Sequence, residues 1–140
     1  MPSNSETILS NQNHPGDSSS QSVTGEKFRG DGYYGRSDGL HTVQFNLTNF
    51  TGTIKIEATL DTTPEDTDYF DVELSTNSTV SGTVDTTGAV SSGSTVTLSS
   101  VSFDSASENF NYNFTGNFVW VRAIVSDWTA GNVDSILLNH

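Results

Sequence analysis

From Leu40 onward the chain alternates apolar and polar residues with a period of two. In HTVQFNLT, Val43, Phe45 and Leu47 fall on one face while Thr42, Gln44 and Asn46 fall on the other. In TIKIEATL, Ile54, Ile56, Ala58 and Leu60 alternate with Lys55, Glu57 and Thr59. Successive side chains of a strand point to opposite faces, so both stretches predict half-buried strands. YFDVELS repeats the pattern with Phe70, Val72 and Leu74, STVTLSSV with Val96 and Leu98, and NFNYNF with Phe110, Tyr112 and Phe114. FVWVRAIV is apolar on both faces, the signature of a central strand or of one covered by a partner. VDSILL reads as the last strand. No segment has helical periodicity. The pattern predicts an all-β, antiparallel β-sandwich, jelly-roll or Ig-like, of about seven or eight strands behind an extended N-terminal arm.

The arm, residues 1–27, is polar; SNQNHPGDSSSQSVTG has almost nothing to bury, and Ile8 and Leu9 are its only adjacent apolar pair. Such a segment does not recover its ordering entropy alone. It is expected to gain order by docking on neighbouring subunits through Ile8 and Leu9, in front of a β domain at 28–140. Within that domain the tetrapeptide NFTG occurs at 49–52 and again at 113–116, each time between two alternating stretches. Asn tolerates, and Gly favours, positive φ, so both copies predict hairpin turns. The sequons at Asn46, Asn49, Asn77 and Asn113 then follow from an Asn- and Thr-rich composition, in a chain without a recognisable secretory leader.

Composition narrows the range of partners. The chain has 140 residues, room for one core, with 17 acidic and 5 basic residues and a net charge of −12. That balance argues against binding nucleic acid, which needs Lys and Arg to displace counterions from phosphates; three of the basic residues, Lys27, Arg29 and Arg36, cluster in one short stretch, a thin electrostatic footprint. There is no cysteine, which excludes disulfides, thiolate metal sites and cysteine nucleophiles. No span approaches 18 apolar residues, so no membrane segment is expected, and synthesis in a cytoplasm is.

Few residues form a catalytic constellation. His14 lies in the arm, His140 is the last residue, and His41 has no Ser or Asp in a triad-like pattern, so an enzyme is not expected. Between 57 and 73 carboxylates abound, and Asp61, Glu65, Asp66 and Asp68 in DTTPEDTD offer oxygen ligands for calcium without the EF-hand spacing; a solvated acidic loop explains them equally well. The tripeptide RGD at 29–31 is a weak integrin motif. Tyr33 and Tyr34, between glycines in KFRGDGYYGRSDG, are poor loop fillers unless their rings pack on the domain or on a partner. In FVWVRAIV, if Val119, Val121, Ala123 and Val125 face the core, then Phe118, Trp120 and Arg122 share the other face, with Trp128 just beyond. Trp and Arg on one patch form the composition of an interface anchor or, beside hydrogen-bonding groups, of a sugar platform; coverage by the domain itself is the plain alternative.

At FRGDGYYGRSDGLHTVQF and NFTGNFVWVRAIVSDWTAGNVDSILLNH the chain resembles small virion structural proteins of tailed phages, especially contractile-tailed phages of marine cyanobacteria. The resemblance covers 28–140 and leaves the arm unmatched. It implies a non-enzymatic particle component, in head decoration, neck or tail, with other virion proteins or copies of itself as partners. A carbohydrate-binding module using Trp120 or Trp128 is the competing expectation.

Overall fold

The computed structural model describes residues 5–35, 39–76 and 97–139. Its strands are β1 (Glu6–Leu9), β2 (Gln12–Asn13), β3 (Gln21–Thr24), β4 (Phe28–Arg29), β5 (Leu40–Thr59), β6 (Phe70–Asp71), β7 (Leu74–Thr76), β8 (Thr97–Leu98), β9 (Val101–Ala106), β10 (Asn109–Thr115) and β11 (Trp120–Asn139). All pairings are antiparallel. The main path runs β1-β11-β5-β10-β7-β8. Among the described residues the only helical turn is a 3-10 turn at Asp66–Asp68.

Two 20-residue strands, β5 and β11, organise the fold. They pair from Trp120↔Thr59 to Ser126↔Thr53 and again from Ile136↔Phe45 to Asn139↔Thr42, with the register shifting in between. At that interruption Asn49, Asp127 and Gly131 all have positive φ, +50°, +48° and +80°. Gly131 is obligatory there, because a Cβ would lie 2.0 Å from the carbonyl oxygen of Asn49. Bulges of this kind bend a strand and increase its twist. Each long strand therefore contributes one half to each layer of the sandwich. Phe45, from the first half of β5, meets across the core the ring of Phe103, on β9, which pairs with the second half (centroids 6.3 Å apart).

The alternation read from the sequence sorts the faces. Val43, Phe45, Ile54, Ile56 and Ala58 of β5 and Val121, Ala123 and Val125 of β11 are fully enclosed. The second copy of NFTG ends β10, and the ring of Phe118 rests on Gly116, where a Cβ would come 2.2 Å from Phe118 Cζ.

Three expectations are corrected. Neither copy of NFTG closes a hairpin between the stretches that flank it. The first is the bend within β5, so HTVQFNLT and TIKIEATL are one strand; FVWVRAIV and VDSILL likewise merge into β11. The second leads from β10 to β11, which lie on opposite sides of β5. Positive φ at Asn suits a bulge as well as a reversal, and pairing with a second long strand favours the bulge.

The second correction concerns the leader. From Glu6 it runs along the free edge of β11, with β1 opposite 136–138, β2 opposite 132–133, β3 opposite 124–128 and β4 opposite 120–121. An unpaired central strand would present a row of unsatisfied N–H and C=O groups, and the leader's backbone pairs with them. A register shift between Thr7 and Leu9 lets the adjacent residues Ile8 and Leu9 both enter the core, at 2% and 6% exposure. They face the protein's own interior, not a neighbouring subunit. Third, the strand count exceeds the seven or eight foreseen, because the leader adds three short strands, β1, β2 and β3. Val96, Asn77, Arg36 and His140 lie outside the described residues.

Candidate functional site

The outer face of the β4-β11-β5-β6 layer carries the sheet's charged cross-strand rows. Arg29 and Thr59 flank Trp120, and Glu57 lies between Arg122 and Asp71. Period two turns these side chains away from the Val121, Ala123 and Val125 face. The segment after β5 folds over one end of the layer: the Trp120 indole N–H donates to the Thr62 carbonyl at 3.1 Å.

Arg122 is buried to 8% exposure and anchors this cover. Its Nε donates to Glu57 Oε1 at 2.9 Å and its Nη1 to Asp66 Oδ1 at 3.0 Å. Its guanidinium lies 3.8 Å from the Tyr69 ring centroid. Desolvation disfavours the charged guanidinium, but hydrogen bonds to Asp66 and Glu57 outweigh it and raise the pKa. Burial raises the Tyr69 hydroxyl's pKa, because it disfavours the charged phenolate. Lys55 bridges Asp71 at 3.0 Å and Glu57 at 3.4 Å, and the Asp71 contact holds its pKa up. A buried cation with two carboxylates and an aromatic face is fully used; Arg122 is a structural clamp, not a free interface anchor.

Beside the clamp lies an open aromatic and cationic patch. The Lys27 Nζ sits 4.7 Å from the Trp120 ring centroid and the Arg29 guanidinium 4.7 Å from that of Tyr33. Tyr33 packs on Trp120 at 5.2 Å and edge-on to Tyr34 at 5.5 Å. Both tyrosines remain 46% exposed. The glycines of this loop position them: Gly30 N–H donates to Val119 C=O at 3.0 Å and Gly32 N–H to Phe118 C=O at 2.8 Å.

The other residues singled out from sequence fall elsewhere. Trp128 is enclosed at 3% exposure, packed on Phe50 and His14, with its indole N–H shared between the Ala130 and Gly131 carbonyls; neither a partner nor a sugar reaches it. Phe118 turns inward to Phe114, His41 and Phe70, because it precedes β11 and is not bound by that strand's alternation. The acidic quartet is dispersed in role. Asp61 accepts from the Thr63 N–H, Asp68 from the Glu65 N–H, and Asp66 from Arg122. Among the described residues no three His, Asp or Glu side chains converge as metal ligands. Asp31 is 1% exposed, which removes the integrin reading. His41 is fully buried; its Nδ1–H donates to Gly39 C=O and its Nε2 accepts from the Asp31 N–H, a structural use of both ring nitrogens.

Sequence reasoning did not assign roles to Lys27, Arg29, Glu57 and Tyr69. The basic cluster was visible; that Glu57 and Tyr69 meet Arg122 depends on strand register and on the fold of the 60–69 segment.

No protein-family model matches this chain, and no curated protein does. Among solved structures, the SPBc2 prophage-derived protein YomS superposes with a TM-score of 0.52 at 17% identity, covering 96% of this chain and 88% of its own. That likeness concerns the fold. A family 29 carbohydrate-binding module from Piromyces equi, CBM29_1, overlays at a TM-score of 0.36 and 14% identity over 100% of this chain and 93% of its own, too loosely to bear on ligand or mechanism. Among the described residues no helix is long and apolar enough to cross a membrane.

Proposed function

We propose that the protein is a non-enzymatic structural component of a phage particle, a capsid decoration or neck or tail protein that works by contact with other virion proteins and with copies of itself. The observation that carries this reading is the full-length likeness in fold to a prophage-derived protein, in line with the sequence resemblance to phage virion proteins. The chemistry is consistent: the two described histidines bond to backbone groups, His14 to the Ser19 carbonyl and the Gly16 N–H and His41 as above, and Lys55, Glu57, Asp66, Asp71 and Arg122 of the outer face are paired with one another. The leader stabilises its own sheet, so contacts with neighbours fall to the exposed surface, foremost Tyr33, Tyr34 and the rim of Trp120.

A sugar-binding module has less in its favour. Trp128 is enclosed, and Trp120 has Lys27 over its ring and its N–H committed to Thr62. The test is direct: particles of the phage that encodes this chain are purified to constant density and probed by quantitative mass spectrometry and immunogold labelling. The expected result is a fixed copy number per particle with label at one location. A chain abundant in the lysate but missing from purified particles would overturn the proposal.

A further inference from the structure

The turn between β9 and β10 encloses a recess of about 630 Å3, within the size range of pockets that hold a ligand or a partner's side chains. Among the described residues its floor is apolar: Phe103, Ala106 and Phe110, with the two ring centroids 4.8 Å apart. Phe110 is only half-buried. The rim carries Asp104 and Glu108, both exposed. The register of β9 on β5 shifts between Phe50 and Gly52, which leaves the adjacent residues Asp104 and Ser105 both turned to solvent. Hydrogen bonds pin the turn to the bend of β5: Ser107 Oγ accepts from the Asn49 N–H at 2.8 Å and donates to Asn49 Oδ1 at 3.1 Å, and the Ser105 N–H donates to Thr51 Oγ1 at 3.0 Å. A recess held this way binds without first ordering its walls.

The charges around it have one sign. Across β5, the facing stretch of β11 adds Asp127 and Asp134. The described lysines and arginines lie elsewhere, Lys27 and Arg29 over Trp120 and Tyr33 at the start of β11, Lys55 and Arg122 in ion pairs on the outer face. Floor and rim together select an occupant. A bare metal ion would leave the phenyl floor unused, and an acidic or neutral partner would leave both carboxylates unmatched. A second copy brings its own net charge of −12 against them. A lysine or arginine side chain suits both halves, its methylene stem on the rings and its charge on a carboxylate. We infer that this recess is the docking site for a basic segment of another virion protein, whose lysine or arginine side chains reach Asp104 and Glu108 while an apolar neighbour covers Phe110. That the partner is a virion protein rests on the function proposed above; the chemistry of the recess does not.

The experiment titrates the full chain with a capped peptide alternating lysine and leucine, followed by backbone-amide and phenyl-ring NMR signals. Shifts are expected to concentrate at 103–110, with a Kd of about 1 mM or tighter, and the glutamate–leucine counterpart should cause none. D104N/E108Q is expected to weaken binding about tenfold, the loss of two ion pairs at an exposed rim. D61N/E65Q removes the same charge from the other exposed acidic segment and should leave binding unchanged. Shifts as large over 61–68 as over 103–110, equal binding of the two peptides, or equal losses in the two variants would each overturn the inference. So would recess signals that move with protein concentration alone, the mark of a second copy as occupant. A chain that binds the peptide at the recess yet is missing from purified particles would fail the virion reading and leave the recess standing; a particle component whose recess ignores the peptide would do the reverse.

Discussion

Among single residues, Arg122 has the largest calculable consequence, because its partners differ in solvent exposure. The Glu57 side chain is 14% exposed, that of Asp66 94%. Removing a cation leaves a largely buried carboxylate short of a partner, a loss of about 2 kcal/mol when some compensation remains, here from Lys55. Removing a solvated carboxylate costs at most about 0.5 kcal/mol, since water takes over its role. Arg122→Ala is therefore expected to lower the urea midpoint clearly and Asp66→Asn scarcely. Pairing Arg122→Met with Glu57→Gln should recover much of the loss, because no charge is then stranded. Equal losses for Arg122→Ala and Asp66→Asn in urea denaturation would mean that the clamp acts through Asp66 and that exposure does not grade these contacts.

At the level of elements, the leader decides the most. Deleting residues 5–27 would bare the edge of β11 along β1, β2 and β3 and remove Ile8 and Leu9 from the core. Loss of two large buried aliphatic side chains amounts to about 4–8 kcal/mol, comparable with the whole stability of a small domain. The truncated chain is expected to be unfolded or aggregated in size-exclusion chromatography and to show no cooperative thermal transition; a soluble truncation melting near wild type would mean that β1–β3 are an ornament on β11. The same segment marks the limit of what could be read beforehand. Alternation exposed the core faces of 43–47, 54–58 and 121–125 because burial of side chains leaves a period in the sequence. β2 and β3 are held chiefly through their backbones, which leave none, and Ile8 and Leu9 break the period because a bulge turns both inward. The bend at Asn49 was legible as special backbone but not as a bulge, since its pairing partner lies some eighty residues away. Of the candidate site, Tyr33, Tyr34, Trp120 and the basic cluster were recognisable by residue type. For Trp128 and Arg122 the sequence allows both an open patch and coverage by the domain itself, and enclosure by His14 and by the 60–69 segment is a tertiary fact.

For the whole molecule, the net charge of −12 opposes compaction. A folded chain of this length has a radius of gyration of about 14 Å, against roughly 39 Å when unfolded, so folding brings the surplus carboxylates close together. Around 10 mM salt the Debye length is about 30 Å and spans the entire molecule; at 1 M it is about 3 Å and covers only neighbours in contact. Salt therefore screens the collective repulsion first. It also weakens the ion pairs of Arg122 and Lys55, but these are few and partly enclosed, and enclosed pairs are screened less. Repulsion is the larger of the two terms. The melting temperature at about 1 µM protein, low enough to suppress self-association, is expected to rise by several degrees as sodium chloride increases from 10 mM to 500 mM and then to level off. A fall over that range in differential scanning fluorimetry would mean that the clamp and the Lys55 bridges outweigh the summed repulsion. The outer face would then be the main electrostatic support of the sandwich.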